Sequence, residues 1–397
     1  MKVLYLSPGN VPSRWAHTFQ VMKMAEALAA QVERLELVTA RSLLPSRVNR
    51  VDLHGWYGVS SRVRIVRLPV HARIRGECFT QDANSRFDFA AVWYARLRRP
   101  DLVYSRSVAA AERCAAGGLA TILESHIPVA HPQFALLREA SAHPALRRLV
   151  TVTEALREEW IAAGVPAAKI GVWPDAVDLE RFEPAPPASE ARAALGLPRE
   201  GALAVYCGHF YDEKGVPTLV DAARLLRKST VQLVGGWPAD ALRMRERGRG
   251  CQSLRFVDFV ANARVPLHLA AADVLVLPNS ARFPQARTTS PLKLFEYMAA
   301  RRPIVATQIP AFAGLLRHGE NAWLVAPDSP EALAEGIEHV LASPALGERL
   351  AEQAWRDVQS YTWRRRAAGI LATLVEPGDG PAAPGGPFQA SRSEVRS

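Results

Sequence analysis

The chain has 397 residues, 49% apolar and 22% charged, a balance that suits a soluble globular enzyme of two domains. Its formal charge of +10 comes from arginine excess, and no basic run is interleaved with aromatics as a nucleic-acid stacking surface would be. Four cysteines (Cys78, Cys114, Cys207, Cys251) stand far apart with no CxxC pair, which argues against a disulfide framework or zinc site and fits a reducing compartment.

In chain order, Val3-Leu4-Tyr5-Leu6 is a buried-type strand, followed by a Pro8-Gly9-Asn10 turn. A loop to Arg14 leads to a helix through Phe19, Met22, Met24, Leu28 and Ala29. Strands are predicted at Leu35 to Val38, Val63 to Leu68, Leu102 to Tyr104, Thr121 to Leu123 and Leu149 to Val152. Helices are predicted from Phe87 to Arg98 and from Glu154 to Ala163. Residues 1–182 form a first domain. The Pro- and Ala-rich stretch 183–200 reads as a linker. Strand-helix alternation then restarts: strand Ala202 to Cys207, helix Val216 to Lys228, and strands at Val231 to Val234, Leu254 to Val257, Val274 to Leu277 and Pro303 to Thr307. Alternation twice over predicts two doubly wound α/β domains, the second over 201–360. A last helix, 361–375, is expected to cross back to the first domain. Residues 376–397, rich in Gly, Pro, Ala and Ser, read as a disordered tail.

The densest chemistry lies in Thr288-Thr289-Ser290-Pro291-Leu292-Lys293-Leu294-Phe295-Glu296-Tyr297-Met298. Ser290 suits an N-cap and Pro291 the first helical position, and a helix start suits phosphate. Leu292, Phe295 and Ala299 should face the core, leaving Lys293 and Glu296 together on the other face. Lys293 could reach phosphate and Glu296 could accept two ribose hydroxyls, although a solvated ion pair fits the same spacing. A second segment, Ala204 to Gly215, reads as strand, glycine turn at Gly208, then Lys214-Gly215 before a helix. Lys214 could neutralise a diphosphate leaving group, although an ordinary surface turn fits the same residues.

These segments, with Glu124-Ser125-His126, Thr151-Val152-Thr153-Glu154, Pro174 to Phe182 and Ala272 to Pro278, resemble the GT-B fold glycosyltransferases, specifically retaining glycosyltransferase family 4. The resemblance runs from Met1 to about Val375. It implies two Rossmann-like domains facing across a cleft, with the donor nucleotide held by the second. It implies that Lys214 contacts the donor diphosphate, that Glu296 binds the ribose, that His126 lies near the donor sugar, and that Gly9 is in the glycine loop. Thr289, Ser290 and Leu292 join the donor side by position. Arg14, His17 and the region of Arg62 to Arg75 are placed on the acceptor side. Three departures stand out: Thr288 occupies the place of the first Glu of the family's Glu-x7-Glu motif, His209 that of an arginine, and Asp175-Ala176 that of Asn-Gly. Ser290 and Lys293 belong to a recognisable branch of the family, which implies that they compensate.

The expected function is retaining transfer of a sugar from a nucleotide-diphosphate donor, UDP- or GDP-linked, to a hydroxyl of a glycan or glycolipid acceptor. No Asp-x-Asp motif stands at a strand end, so no obligatory metal or other cofactor is expected. A sugar-nucleotide 2-epimerase, a degenerate nucleotide-binding scaffold and a basic polyanion binder are the alternatives. Met1 to Leu6 is too short for a signal peptide, and the apolar stretch Leu267 to Leu277 is too short to span a bilayer. A cytoplasmic protein is expected, with peripheral contact to an anionic inner membrane face and no nucleic-acid partner.

Overall fold

The computed structural model describes residues 1–8, 11, 13, 15–43, 51–70, 74, 75, 78, 79 and 81–374. Gly9, Arg14, Arg73 and the tail 376–397 lie outside the described residues. The chain divides into two compact units, Met1–Asp175 together with the residues from Trp363, and Ala176–Thr362.

The first unit holds β1 (Lys2–Leu6), β2 (Arg34–Ser42), β3 (Arg64–Val70), the short antiparallel pair β4 (Ile74–Arg75) and β5 (Cys78–Phe79), then β6 (Leu102–Ser105), β7 (Thr121–Glu124), β8 (Leu146–Thr151) and β9 (Ile170–Val172). Seven of them form one parallel sheet in the order β3-β2-β1-β6-β7-β8-β9. Every residue of β6 and β7 is buried, as parallel strands covered on both faces require. Helices Gln81–Arg98 and Val108–Ala116 cover one face, packing Phe87, Ala91, Ala95, Ala110 and Cys114 onto Leu4, Leu6 and Val38. The final helix, Trp363–Ala372, packs beside helix Ala16–Ala29, with Arg366 lying against Met24 and the Arg364 carbonyl accepting from Gln31.

The second unit holds β10 (Ala202–Gly208), β11 (Ser229–Gly235), β12 (Leu254–Val257), β13 (Val274–Leu277), β14 (Ile304–Thr307) and β15 (Trp323–Val325). They form a parallel sheet in the order β12-β11-β10-β13-β14-β15. Alternate residues feed two cores: Val205, Cys207, Leu275 and Leu277 on one face, Ala204, Tyr206, Val274 and Val276 on the other. Both sheets are doubly wound, as expected. In each, strand order reverses once, beside β1 and beside β10, and the crevice at such a reversal opens at the strand carboxyl ends.

Three expectations need correction. Residues 183–200 contain a packed helix, Ala188–Ala194. Its buried Arg192 donates to the carbonyls of Ala271, Arg199 and Gly201 and pairs with Asp273, so the stretch is anchored in the second unit. The helix expected to reach Lys228 stops at Ala223. The basic run Arg364 to Arg366, which as a charge run would read as a solvated face, includes a buried Arg366, because a fully buried carboxylate at Glu124 holds it.

Candidate functional site

In the second unit the polar side chains gather at the carboxyl end of β10. Gly208 ends that strand at φ +145°, and a Cβ on it would stand 2.4 Å from Lys293 Nζ. Glycine is therefore required twice over, by backbone conformation and by the room that Lys293 takes. Lys293 Nζ donates to Tyr206 Oη at 2.6 Å, and Tyr206 Oη donates to the His209 carbonyl at 2.6 Å. The ammonium also lies 3.9 Å from the Tyr206 ring centroid. Burial, then the neighbouring charge of Lys214, pushes the Lys293 ammonium down to about 7. Burial lowers Lys214 as well.

Lys214 ends the turn Asp212–Lys214, and Gly215 follows at φ +68°. A Cβ there would collide with the Pro278 carbonyl oxygen at 1.7 Å, so only glycine lets the turn press against the end of β13. Ser280 N donates to the Glu213 carbonyl at 3.2 Å, closing the same contact.

The helix carrying Lys293 and Glu296 spans Leu292–Ala299, and its N-cap is Pro291, with no side-chain cap. Ser290, the expected cap, thus sits one residue before the observed one. Thr288 ends a separate turn, Gln285–Thr288, and the extended backbone at Thr289 delays the helix start. Leu294, Phe295, Tyr297, Met298 and Ala299 are buried, and Tyr297 Oη accepts from the Cys207 N–H at 2.7 Å, which locks the helix onto β10. Leu292 is half-buried rather than core. Lys293 and Glu296, expected together on the face away from the core, are both half-buried. Arg181 Nη1 lies 3.3 Å from Glu296 Oε1, and Arg181 Nη2 donates to the Asn262 carbonyl at 2.8 Å.

His209 stands in an aromatic wall. Its ring stacks on Tyr211 at 5.1 Å and on Trp237 at 5.4 Å, and Trp237 Nε1 donates to Tyr211 Oη at 2.7 Å. Lys293, Tyr206, His209 and Glu296 are thus gathered at one sheet end, beside the Lys214 turn and downstream of Thr288, Thr289 and Ser290.

The first unit carries a second polar cluster at its own sheet end. Glu124, the last residue of β7, is fully buried. Arg366 Nη2 and Arg106 Nη1 each donate to its Oε1 at 2.8 Å, Gln20 Nε2 donates at 2.5 Å, and the Tyr104 hydroxyl donates to Oε2. Burial alone would raise this carboxyl, yet Arg366 and Arg106 hold it well below the carboxylate range. Arg106 Nη1 also lies 2.8 Å from His126 Nε2, with Glu124 Oε1 3.1 Å from the same nitrogen. A guanidinium only donates and a carboxylate only accepts, so a neutral imidazole that accepts from Arg106 at Nε2 carries its proton on Nδ1 and makes no hydrogen bond to Glu124. Burial first, then Arg106, pushes the imidazole down to about 4. Burial raises Asp175 to about 7, with Arg366 opposing. His17 lies in the first turn of helix Ala16–Ala29.

Sequence inspection missed Arg106, Arg366, Tyr206, Trp237 and Arg181. Arg181 and Tyr206 stand inside segments already singled out. Arg106, Arg366 and Trp237 are ordinary residues in loop or helix, and only the folded chain brings them to the clusters.

Two family models match the chain: Glycosyltransferase Family 4 over residues 19–181 and Glycosyl transferases group 1 over residues 201–343. The chain is 35% identical over 234 residues to the phosphatidyl-myo-inositol mannosyltransferase of Mycobacterium tuberculosis, covering 56% of this chain and 58% of that protein. It is 27% identical over 273 residues to the D-inositol 3-phosphate glycosyltransferase of Streptomyces bingchenggensis, covering 65% of this chain and 58% of that one. The chain thus spans a little over half the length of these relatives. Among solved structures, Anabaena HepE in complex with UDP superposes with a TM-score of 0.73 at 18% identity, over 94% of this chain and 99% of that one. WaaG, a glycosyltransferase involved in lipopolysaccharide biosynthesis, gives 0.69 at 16% identity, over 95% and 100%. The fold is the one these glycosyltransferases share.

Proposed function

We propose that this chain, which belongs to glycosyltransferase family 4, is a retaining transferase that moves a sugar from a nucleotide-diphosphate donor to an acceptor hydroxyl. The observation that carries the donor assignment is the pairing of Lys214 and Lys293 at one strand end, each ammonium weakened by burial and Lys293 further by its neighbour. Two half-buried cations that repel one another are relieved by a shared anion, and a diphosphate supplies it.

As the bond to the sugar breaks, negative charge grows on the leaving diphosphate. Lys214 and Lys293 stabilise it: Tyr206 already holds the Lys293 ammonium, and the turn at Gly215 fixes the backbone from which Lys214 reaches. Glu296 binds the ribose hydroxyls, with Arg181 holding its carboxylate ready. His209, with Thr288, Thr289, Ser290 and Leu292, lines the donor. His126, as a neutral donor from Nδ1, serves the transferred sugar, and His17 and Arg14 stand on the acceptor side. The solved HepE complexes with UDP and UDP-glucose support a nucleotide-sugar donor, and a UDP- or GDP-linked sugar is the donor class we propose. The mannosyltransferase relative, named for phosphatidyl-myo-inositol, favours a glycolipid or polysaccharide setting.

The test is thermal unfolding with UDP, GDP, ADP, dTDP and CDP, on wild type and on Glu296→Ala. A ligand at a hundred times its Kd adds about 2.7 kcal/mol of stability. One nucleotide stabilising the wild type but not Glu296→Ala names the base and supports the ribose role. No shift with any of them overturns the donor assignment.

A further inference from the structure

We infer that Tyr297 is a positioning residue for the donor site: its hydroxyl takes the place of the β13 backbone beside Cys207, and so fixes where Lys293 and Glu296 stand. What those two residues hold is taken from the donor reading above, on which the inference rests. Strand β10 pairs with β11 along its whole length to Gly208, but with β13 at Ala204 with Val274 and Val205 with Leu275. In a parallel ladder a residue aims its N–H and its carbonyl at the same neighbouring strand, and the next residue aims both at the other. The Leu203 carbonyl accepts from the Asp273 N–H, and the Gly208 carbonyl from the Gly236 N–H. Odd residues of β10 therefore face β13, and Cys207 aims both of its backbone groups there, beyond the last pair. Carrying the register on would make residue 278 the donor to the Cys207 carbonyl. That residue is Pro278, which has no N–H, so the two strands part at this point.

Tyr297 fills the gap. Its hydroxyl accepts from the Cys207 N–H at 2.7 Å and donates to the Cys207 carbonyl at 3.5 Å, so one phenol meets both groups that β13 leaves. The side chain is fully buried, where an unpaired N–H is costly. Lys293 and Tyr297 are four residues apart and lie one above the other on helix Leu292–Ala299. Both reach β10: Tyr297 at Cys207, and Lys293 one turn earlier at Tyr206 Oη, in the space over Gly208. Apolar packing of Leu294, Phe295 and Met298 holds the helix down, but such packing has no direction. The hydrogen-bonded phenol supplies the direction and sets how far along β10 the helix sits. Tyr297 thus acts through Lys293 and Glu296, its neighbours on the same rigid helix.

The experiment compares the full-length wild type with Tyr297→Phe, which keeps the ring and removes the hydroxyl. The control is Leu333→Ala, which opens the core on the other face of the sheet. In wild type the Cys207 amide should exchange its hydrogen as slowly as the core amides of β10, and in Tyr297→Phe at least about tenfold faster. UDP and GDP are then added well below the unfolding temperature. The Kd should rise about tenfold in Tyr297→Phe and stay within about twofold in Leu333→Ala. Without nucleotide, the Lys293 amine followed by NMR should titrate nearer its ordinary 10.5 in Tyr297→Phe, because a helix free to shift gives up the burial that depresses it. Leu333→Ala should leave that titration in place. A wild type that binds neither nucleotide overturns the donor assignment, while amide exchange and the lysine titration still decide the role of Tyr297. A Cys207 amide that exchanges fast in wild type overturns the inference. So does a Tyr297→Phe variant whose Lys293 titration and nucleotide binding match those of Leu333→Ala, which would make Tyr297 a contributor to stability alone.

Discussion

The Lys293 ammonium occupies the space that a side chain on Gly208 would need, 2.4 Å from where its Cβ would stand. Residue 208 and residue 293 are therefore coupled: a side chain at the end of β10 would displace the lysine ammonium on the helix. Gly208→Ala is expected to strain a backbone held at φ +145° and to push Lys293 off Tyr206. The cost should be about 1–3 kcal/mol in urea unfolding. The variant should also lose nucleotide stabilisation, whereas Gly250→Ala, where a Cβ meets open space, should keep it.

Lys293 titrates near 7 when the site holds no anion, because burial and Lys214 disfavour its charge. A diphosphate favours the charged form, so binding above neutral pH should draw in a proton. Calorimetry at pH 8 in buffers of different ionisation enthalpy should show uptake approaching one proton, absent in Lys293→Met. Affinity should fall as pH rises through about 7. In folding the sign is opposite: the unfolded lysine stays protonated up to 10.5, so this group's contribution to stability rises between about 7 and 10.5. A binding profile flat in pH would remove Lys293 from the diphosphate.

Much of this was legible beforehand. Val274 to Leu277 and Leu254 to Val257 were placed to the residue, because a short apolar run between turn signals has one reading in an α/β chain. The helix of Lys293 and Glu296 was found, but its start was misplaced. Ser290-Pro291 satisfies the local cap pattern, while the extended backbone at Thr289 and Pro291 is set by the preceding turn. Helix Val108–Ala116 was not called, although Ser107 caps it through the Ala110 N–H. Its short alanine run gives weak periodicity. The cluster at Glu124 was out of reach for another reason: Arg366 lies 242 positions away, and nothing local in Arg364-Arg365-Arg366 says which arginine is buried.

That pair can be tested by breaking it. Arg366→Met leaves the fully buried Glu124 with Arg106 as its remaining arginine, and should destabilise the fold by about 3–5 kcal/mol. Arg366→Met with Glu124→Gln should recover part of the loss, because no uncompensated charge remains. Glu124 titrates well below its ordinary 4.5 in the folded chain. Its stabilisation is therefore full above that value and lost as pH falls through the lower, folded one. Denaturant midpoints of the two variants and the wild type, measured at neutral pH, decide the matter. Equal midpoints for the single and double variants would mean that Arg366 does not act through Glu124.

His126 offers a spectroscopic test. Because Arg106 can only donate to Nε2, the imidazole should be neutral with its proton on Nδ1, and should stay so down to about pH 4. Nitrogen-15 spectra of labelled histidine should show one site with a bare Nε2 that does not titrate near neutrality. Removing the guanidinium, in Arg106→Met, frees Nε2 to take a proton and donate to Glu124, 3.1 Å away. The tautomer should then switch and the pKa should rise, since a repelling cation is gone while the carboxylate stays. The stability sign follows from the same depression. The unfolded imidazole protonates near 6.5 and the folded one near 4, so this histidine's contribution is present above 6.5 and is lost as pH falls between those values. In Arg106→Met that acid loss should shrink. A wild-type His126 that titrates near 6.5 would show that Arg106 does not set its protonation.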